Sequence, residues 1–561
     1  MKLITLHAKK TAGKYEKATM CPLEVQKERL RSIVRKNKKT EYGKRYGFGS
    51  IKSIADYQRS VPVVTYEDIR GYVERITAGE KKILTAEDPV MFARTSGTMG
   101  EPKYISVTPT CQGKGYSDLM SIWGYHLLSS HPAMQRGKTV SLVSCAVEGY
   151  TEGGIPYGST SGSIYKKMPA IFRRKYVIPY RVFEISDYQA KYYVIMRLGL
   201  EEDITGIATA NPSSILLMCE KGNEFAEEII RDIRYGTLSH KYAIEPEIRA
   251  FIERRLKPNP ERSEFLAKIR NEAGGVLKPA DYWPDLSLIS CWKGGTVGHY
   301  IEKFPMWFSS NGSFDIAIRD WGYLSSEARC SIPISDEGSA GILAIETNFY
   351  EFVAVEERMA NPEGVLDWSF LTADQLEDGK EYFIFITTTG GLYRYDINDI
   401  VRVEGYYNET PKIAFMRKGE DVSNMTGEKL SANQIIEAAR QAGTMTDVAP
   451  SHFKAEADID ESRYILRVEL GSDIPKDKCR GFLKCFDESL MRLNIEYKAK
   501  RNSMRIGDPV LHVMRHGWYD RWQMRLVESG SRAFQGKIQV LSAFKSGATE
   551  INRELDRVIE M

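Results

Sequence analysis

Gly341-Ile342-Leu343-Ala344-Ile345-Glu346 and Tyr382-Phe383-Ile384-Phe385-Ile386-Thr387 are short runs rich in apolar, β-branched or aromatic residues. Runs of this length and composition predict buried β-strands. Val140-Ser141-Leu142-Val143-Ser144-Cys145-Ala146-Val147 reads the same way. Between these runs, Gln189 to Leu200 and Glu224 to Arg234 carry apolar residues at helical spacing. Strands interleaved with helices, continuing to about residue 415, predict an α/β protein. No internal repeat or low-complexity tract is present.

Beyond that point the composition changes. Phe415-Met416-Arg417-Lys418-Gly419-Glu420-Asp421 is charged, contains Gly and follows a strand-like stretch. It reads as a hinge between an N-terminal domain, residues 1–417, and a smaller domain, residues 418–561. The smaller part holds a strand, Tyr464 to Leu470, and a helix-like segment from Arg480 to Leu493, which suits an α+β unit. At the other end, the first 48 residues carry 14 Lys/Arg against four Glu, a local +10. Leu23, Leu30, Ile33 and Val34 lie there at helical spacing, so this region reads as an amphipathic helix. Its basic residues read as a solvated face rather than an anion or membrane site.

The 561 residues are long enough for several domains and a large core without disulfide or metal staples. With 78 Lys+Arg against 75 Asp+Glu, the formal charge is +3, which gives no indication of a nucleic-acid partner. No stretch has the roughly 18 apolar residues of a membrane span, and the N-terminal apolar stretch is too short for a signal peptide. Eight cysteines are scattered without a CxxC pair, as in a reducing compartment. The expected location is the cytoplasm and the expected state a monomer, with no membrane or nucleic-acid partner. None of the eight histidines has the spacing of a catalytic triad or metal site.

Five segments carry chemistry. Ala93-Arg94-Thr95-Ser96-Gly97-Thr98-Met99-Gly100-Glu101-Pro102-Lys103 is rich in hydroxyls and glycine and ends in Lys. Gly lets the backbone approach phosphates, Ser and Thr supply donors, and Lys supplies charge. Trp321-Gly322-Tyr323-Leu324-Ser325-Ser326-Glu327 sets an aromatic ring, two hydroxyls and an acid close together. Such a group can stack a base, bind phosphate and hold Mg²⁺, a hard cation usually carried by one or two carboxylates plus phosphate oxygens. Gly390-Gly391-Leu392-Tyr393-Arg394-Tyr395-Asp396-Ile397-Asn398-Asp399-Ile400-Val401 can place an Asp on a ribose diol; its plainer reading is a hairpin turn capped by Asp396 and Asn398. The hinge, continuing through Asn424-Met425-Thr426-Gly427-Glu428-Lys429-Leu430, is the fourth. The fifth is Ala533-Phe534-Gln535-Gly536-Lys537-Ile538.

Taken in this order, the five segments resemble the GH3 acyl-acid amido synthetase family, a branch of the adenylate-forming enzymes that include firefly luciferase. The similarity extends to Thr40–Phe48, Val61–Asp68, Ala208–Ser214, Arg231–Leu238 and Phe349–Phe352. It implies a large adenylate-forming domain of mixed sheets and helices with a smaller, mobile α+β domain. It implies ATP and Mg²⁺ as cofactors, and a small carboxylic acid and an amine, such as an amino acid, as substrates. Ser96, Gly97, Thr98 and Lys103 would surround the ATP phosphates, with Ser325 and Ser326 nearby. Tyr323 would lie against adenine with Phe415 close to it. Glu327 would bind Mg²⁺, Asp399 would hold the ribose, and Arg417 and Lys418 would lie at the pivot. Lys537 would touch the reacting carboxylate and α-phosphate. The acid pocket would be built by Gly153–Gly162. This chain departs from the family pattern at Met99, at Asn398 where Gly is usual, and after Lys537, where no Pro follows closely. Asn tolerates a left-handed backbone, so the turn at 398 should survive.

The chemistry implied is transfer of the acid to AMP with release of pyrophosphate, followed by attack of an amine and loss of AMP. Two alternatives stay open on sequence: an acid–thiol ligase of the same fold, and a nucleotide-binding protein without catalysis.

Overall fold

The structure, a computed structural model, describes residues 2–95, 103–309, 312–361, 364–419, 422–423, 428, 430–458, 460–471, 473–502, 506–528, 540–542 and 552–561. Two compact units divide the chain. The larger comprises residues 1–397 with 402–415, and the smaller 398–401 with 416–561.

The sheet that positions the site lies in the larger unit. Strands Lys138–Leu142, Ile204–Thr209, Leu288–Ser290 and Ala317–Arg319 lie side by side in that order, all parallel. Every residue of Ile204–Thr209 is buried, as a parallel strand covered on both faces requires. Asn211 ends this strand and starts the next helix. Its side chain accepts the Ser213 N–H at 3.0 Å, and Pro212 fills the first helical position of Pro212–Glu224. Thus Ala208–Ser214 is a strand-to-helix joint. Tyr188–Gly199 is the helix expected at 189–200, buried from Ala190 through Arg197. The polar members of that run are satisfied: Arg197 bonds Glu201 at 2.7 Å, and Tyr193 donates to Asp232 at 2.5 Å. The helix expected at 224–234 is Ala226–Tyr235, closed by Gly236 at φ +68°.

A second sheet has six strands, ordered Phe349–Ala354, Glu381–Thr387, Tyr395–Tyr407, Thr410–Lys418, Gly341–Leu343 and Ser331–Ile332. The strand expected at 341–346 stops at Leu343. Thr347 turns back on Ala344 through an N–H···O bond of 3.1 Å. The Gln26 side chain takes the carbonyls of Ile345 and Asn348 at 2.6 and 2.8 Å and accepts the Tyr350 N–H at 2.9 Å. Those groups are therefore satisfied by a helix, Pro22–Asn37, instead of a ladder. That helix is the amphipathic one expected in the basic region, with Leu30, Ile33 and Val34 buried. A further helix, Lys2–Ala18, precedes it.

The smaller unit holds a five-stranded sheet, ordered Leu541–Ser542, Pro450–Asp458, Arg463–Leu470, Val510–Met514 and Leu555–Ile559, with helices Ala432–Thr446 and Lys476–Leu493. One face is apolar, with Ala455, Ala457, Leu466, Val468 and Val513 buried. The other carries a buried ionic group: Glu456 pairs with Lys454 at 2.9 Å and Arg467 at 3.0 Å, and Arg467 reaches His512 at 3.1 Å. Among the described residues, no helix is long and apolar enough to cross a membrane.

Candidate active site

Ligands of parallel α/β sheets bind outside the carboxyl ends of the strands. Here those ends are followed by Ser144–Ala146, Ala210–Asn211, Trp292–Gly294 and Asp320–Tyr323. Trp321 ties the edge together: its indole N–H lies 2.8 Å from the Thr209 carbonyl and 3.1 Å from that of Ser290. Trp123 stacks on it at 4.2 Å and donates to the Asp320 carbonyl at 2.9 Å. The buried Arg329 donates to the Trp321 carbonyl at 2.8 Å.

Gly322 then turns the chain at φ +83°. A Cβ there would lie 2.4 Å from the Ser331 carbonyl oxygen, so the close approach requires glycine. The turn delivers Tyr323, whose N–H donates to Ser331 Oγ at 2.9 Å and whose carbonyl accepts the Cys330 N–H at 2.8 Å. Its ring, 6% exposed, stacks on half-buried Phe415 at 5.5 Å and 21°. Ser325 is locked in the next turn, its N–H on the Ala328 carbonyl at 2.9 Å and its hydroxyl 3.2 Å from both the Ala328 carbonyl and N–H. Ser326 and Glu327 are half-exposed on that turn. Among the described residues, Glu327 joins no ion pair, and its charge reaches the buried Tyr116 phenol, which burial pushes well above its ordinary pKa. Tyr116 sits on a wide helical turn, Cys111–Asp118.

The other segments are placed as follows. Lys103 opens the strand Lys103–Val107, antiparallel to Met91–Thr95, and its ammonium lies 5.5 Å over the Tyr66 ring. Ser96, Gly97, Thr98 and Lys537 lie outside the described residues. Within 390–401 the residues up to Ile397 serve the scaffold. Arg394, at φ +44°, grips buried Glu351 at 3.1 Å and the carbonyls of Gln58 and Val61 at 2.9 and 3.0 Å. Tyr393 stacks on Tyr42 at 5.0 Å. Asp396 pairs with Arg358 at 2.8 Å, and its N–H donates to the Val64 carbonyl at 2.8 Å. Asp396 and Asn398 therefore lie on a strand that already begins at Tyr395, where the plainer reading has a hairpin turn. In the smaller unit, Asn398 adopts φ +54° and its carbonyl accepts the Gly419 N–H at 2.9 Å. Asp399, fully buried, is ion-paired with Lys418. Arg417 precedes that lysine on the strand Thr410–Lys418.

Two contributors are not evident from sequence patterns. Asp320 stands one residue before the segment Trp321–Glu327. Its carboxylate accepts the Lys293 N–H at 2.6 Å and the Gly322 N–H at 2.5 Å. The loop at Lys293-Gly294-Gly295 leaves a buried strand, and a Cβ on Gly294 would lie 2.6 Å from Ser339 Oγ and 3.4 Å from the Phe415 carbonyl oxygen. Paired glycines after an apolar run are the signal that could have found it.

The GH3 family N-terminal domain matches residues 11–312, its central domain 341–418 and its C-terminal domain 431–546. The chain belongs to the GH3 family. Indole-3-acetic acid-amido synthetase GH3.4 of Arabidopsis thaliana is 26% identical over 551 residues, covering 93% of this chain and 90% of that protein. Jasmonoyl–L-amino acid synthetase GH3.5 of Oryza sativa subsp. japonica is 24% identical over 539 residues, covering 91% and 90%. The solved structure of AtGH3.15 acyl acid amido synthetase in complex with 2,4-DB superposes with a TM-score of 0.84 at 22% identity, covering 99% of this chain and 98% of that one, and so shares the fold.

Proposed function

We infer that this protein is an ATP-dependent acyl-acid amido synthetase, a ligase that forms a C–N bond through an acyl-adenylate. The observation that carries this reading is the turn Tyr323–Glu327. It sets a stacked aromatic pair and a carboxylate outside any ion pair, among the described residues, at the carboxyl edge of a parallel sheet. Membership of a family whose named members are amido synthetases supports it.

A carboxylate resists amide formation because its leaving group would be oxide or hydroxide, and AMP supplies a better one. Tyr323 and Phe415 would orient the adenine, and Ser325 and Ser326 would border the phosphates together with Ser96, Gly97, Thr98 and Lys103. Asp399 would take the ribose hydroxyls, which requires its ion pair with Lys418 to rearrange. Glu327, a hard oxygen donor outside any ion pair among the described residues, fits Mg²⁺, which would offset the like charges of acid and polyphosphate when bound. Lys537 would neutralise the charge that develops on the α-phosphate. The smaller domain, 418–561, would move between the half-reactions, withdrawing Lys537 after adenylation and admitting the amine. We propose that the enzyme works as a cytoplasmic monomer on a small carboxylic acid and an amino acid.

The test is acid-dependent pyrophosphate release across aryl, indolyl and fatty acids, followed by mass spectrometry of products formed with pooled amines. Amide products are expected. Release of AMP from preformed acyl-adenylate by a thiol but not by an amine would replace the amide reading. ATP binding without acid-dependent pyrophosphate release would remove catalysis.

A further inference from the structure

Asp320 is 3% exposed, and its two carboxylate oxygens are spent on backbone. One accepts the N–H of Lys293, on the loop that leaves the strand Leu288–Ser290. The other accepts the N–H of Gly322, on the turn that leaves the neighbouring strand Ala317–Arg319. The first loop continues through Gly294, packed against the Phe415 carbonyl, and the second delivers Tyr323, whose ring stacks on Phe415. One buried carboxylate therefore fixes the backbone on both sides of the aromatic stack.

We propose that Asp320 is a positioning residue that sets nucleotide affinity by tying the Lys293–Gly294 loop to the Gly322–Tyr323 turn. The proposal rests on the reading of Tyr323 and Phe415 as the adenine site. Only an ionised carboxylate presents two pure acceptors to two N–H donors. An asparagine keeps one acceptor and sets its NH₂ against the second donor. Among the described residues, the charged and titratable groups facing Asp320 are Lys293, Arg329 and Cys291. The Lys293 ammonium is turned to the carbonyls of Asp336 and Ile318, and Arg329 to that of Trp321. Burial pushes the Asp320 carboxyl up to about 6, against the lowering effect of its two N–H donors and of Lys293 and Arg329. Protonation near that pH removes one of the two ties.

The test is calorimetric binding of adenosine, which carries no titrating phosphate, to the full-length protein. With the protonated form binding about tenfold more weakly, as the one-tie Asn variant should, wild type should bind roughly threefold more weakly at about pH 5.5 than at about pH 7.5. Asp320→Asn should bind roughly tenfold more weakly than wild type at the higher pH. Its affinity should not vary between the two pH values, and KM for ATP should rise by a larger factor than kcat falls. A residue needed only for folding would lower the melting temperature without flattening the pH profile. Wild-type affinity equal at both pH values overturns the proposal without recourse to a variant. So does an Asn variant that keeps the wild-type affinity or its pH dependence. Failure of wild type to bind adenosine at either pH removes the nucleotide reading, and this inference with it.

Discussion

Replacing Gly322 by alanine tests the turn that presents Tyr323. Two costs add. At φ +83° an alanine sits in the left-handed region, which costs about 1–2 kcal/mol. Its Cβ would also lie 2.4 Å from the Ser331 carbonyl oxygen and 2.7 Å from Pro333 Cδ. Neither atom belongs to a side chain that can swing aside, so the two segments must separate. The bonds Tyr323 N–Ser331 Oγ at 2.9 Å and Cys330 N–Tyr323 O at 2.8 Å join those same segments and would stretch. Overpacking of this kind costs about 1–3 kcal/mol. The total is about 2–5 kcal/mol. Gly379 supplies the control. Its φ is +79°, but nothing lies within 4 Å of its Cβ position, so Gly379→Ala meets the backbone cost alone. Urea denaturation followed by tryptophan emission is the assay, since Trp123, Trp283, Trp292, Trp307, Trp321 and Trp368 all lie in the larger unit. Gly322→Ala should be less stable than Gly379→Ala by about 1–3 kcal/mol, with a raised KM for ATP. Equal destabilisation of the two variants would refute the close-approach argument.

Glu327→Gln should lower acid-dependent pyrophosphate release by roughly two to three orders of magnitude, as loss of a well-placed electrostatic group does. EDTA should abolish that release in wild type and Mg²⁺ restore it; activity indifferent to both would remove Glu327 from metal binding. Lys537→Ala should lower adenylate formation by about two to three orders of magnitude while equilibrium ATP binding stays close to wild type. Near-normal adenylate formation would exclude that lysine. Glu351→Gln should destabilise the larger unit by about 3–5 kcal/mol, because Arg394 is left buried beside a neutral side chain. An unchanged urea midpoint would show that the pair holds nothing together.

The parts of the fold governed by neighbours along the chain are legible in the amino-acid sequence. The helices at 188–199 and 226–235 and the strands at 381–387 and 463–470 follow from periodicity and composition, which act over a few residues. The left-handed backbone at Asn398 is what the resemblance implied, since the family usually has Gly there and Asn tolerates that conformation. The strand at 341–343 is shorter than its apolar run suggests because the group that takes the carbonyls beyond it, Gln26, is more than 300 positions away. Asp320 is hidden for a related reason. One of its partners is two residues ahead, but the other is 27 residues back on a different strand end.

Composition and periodicity determined by themselves that this is an α/β chain, and the order of the five segments that it resembles one family, because turn chemistry and apolar spacing are written locally. Only the tertiary structure decided which side chains within those turns brace the backbone. Arg394 and Asp396, from the same segment as Asp399, are spent on Glu351 and Arg358. Buried charges must find partners wherever the fold brings them, and those partners are set by contact in space.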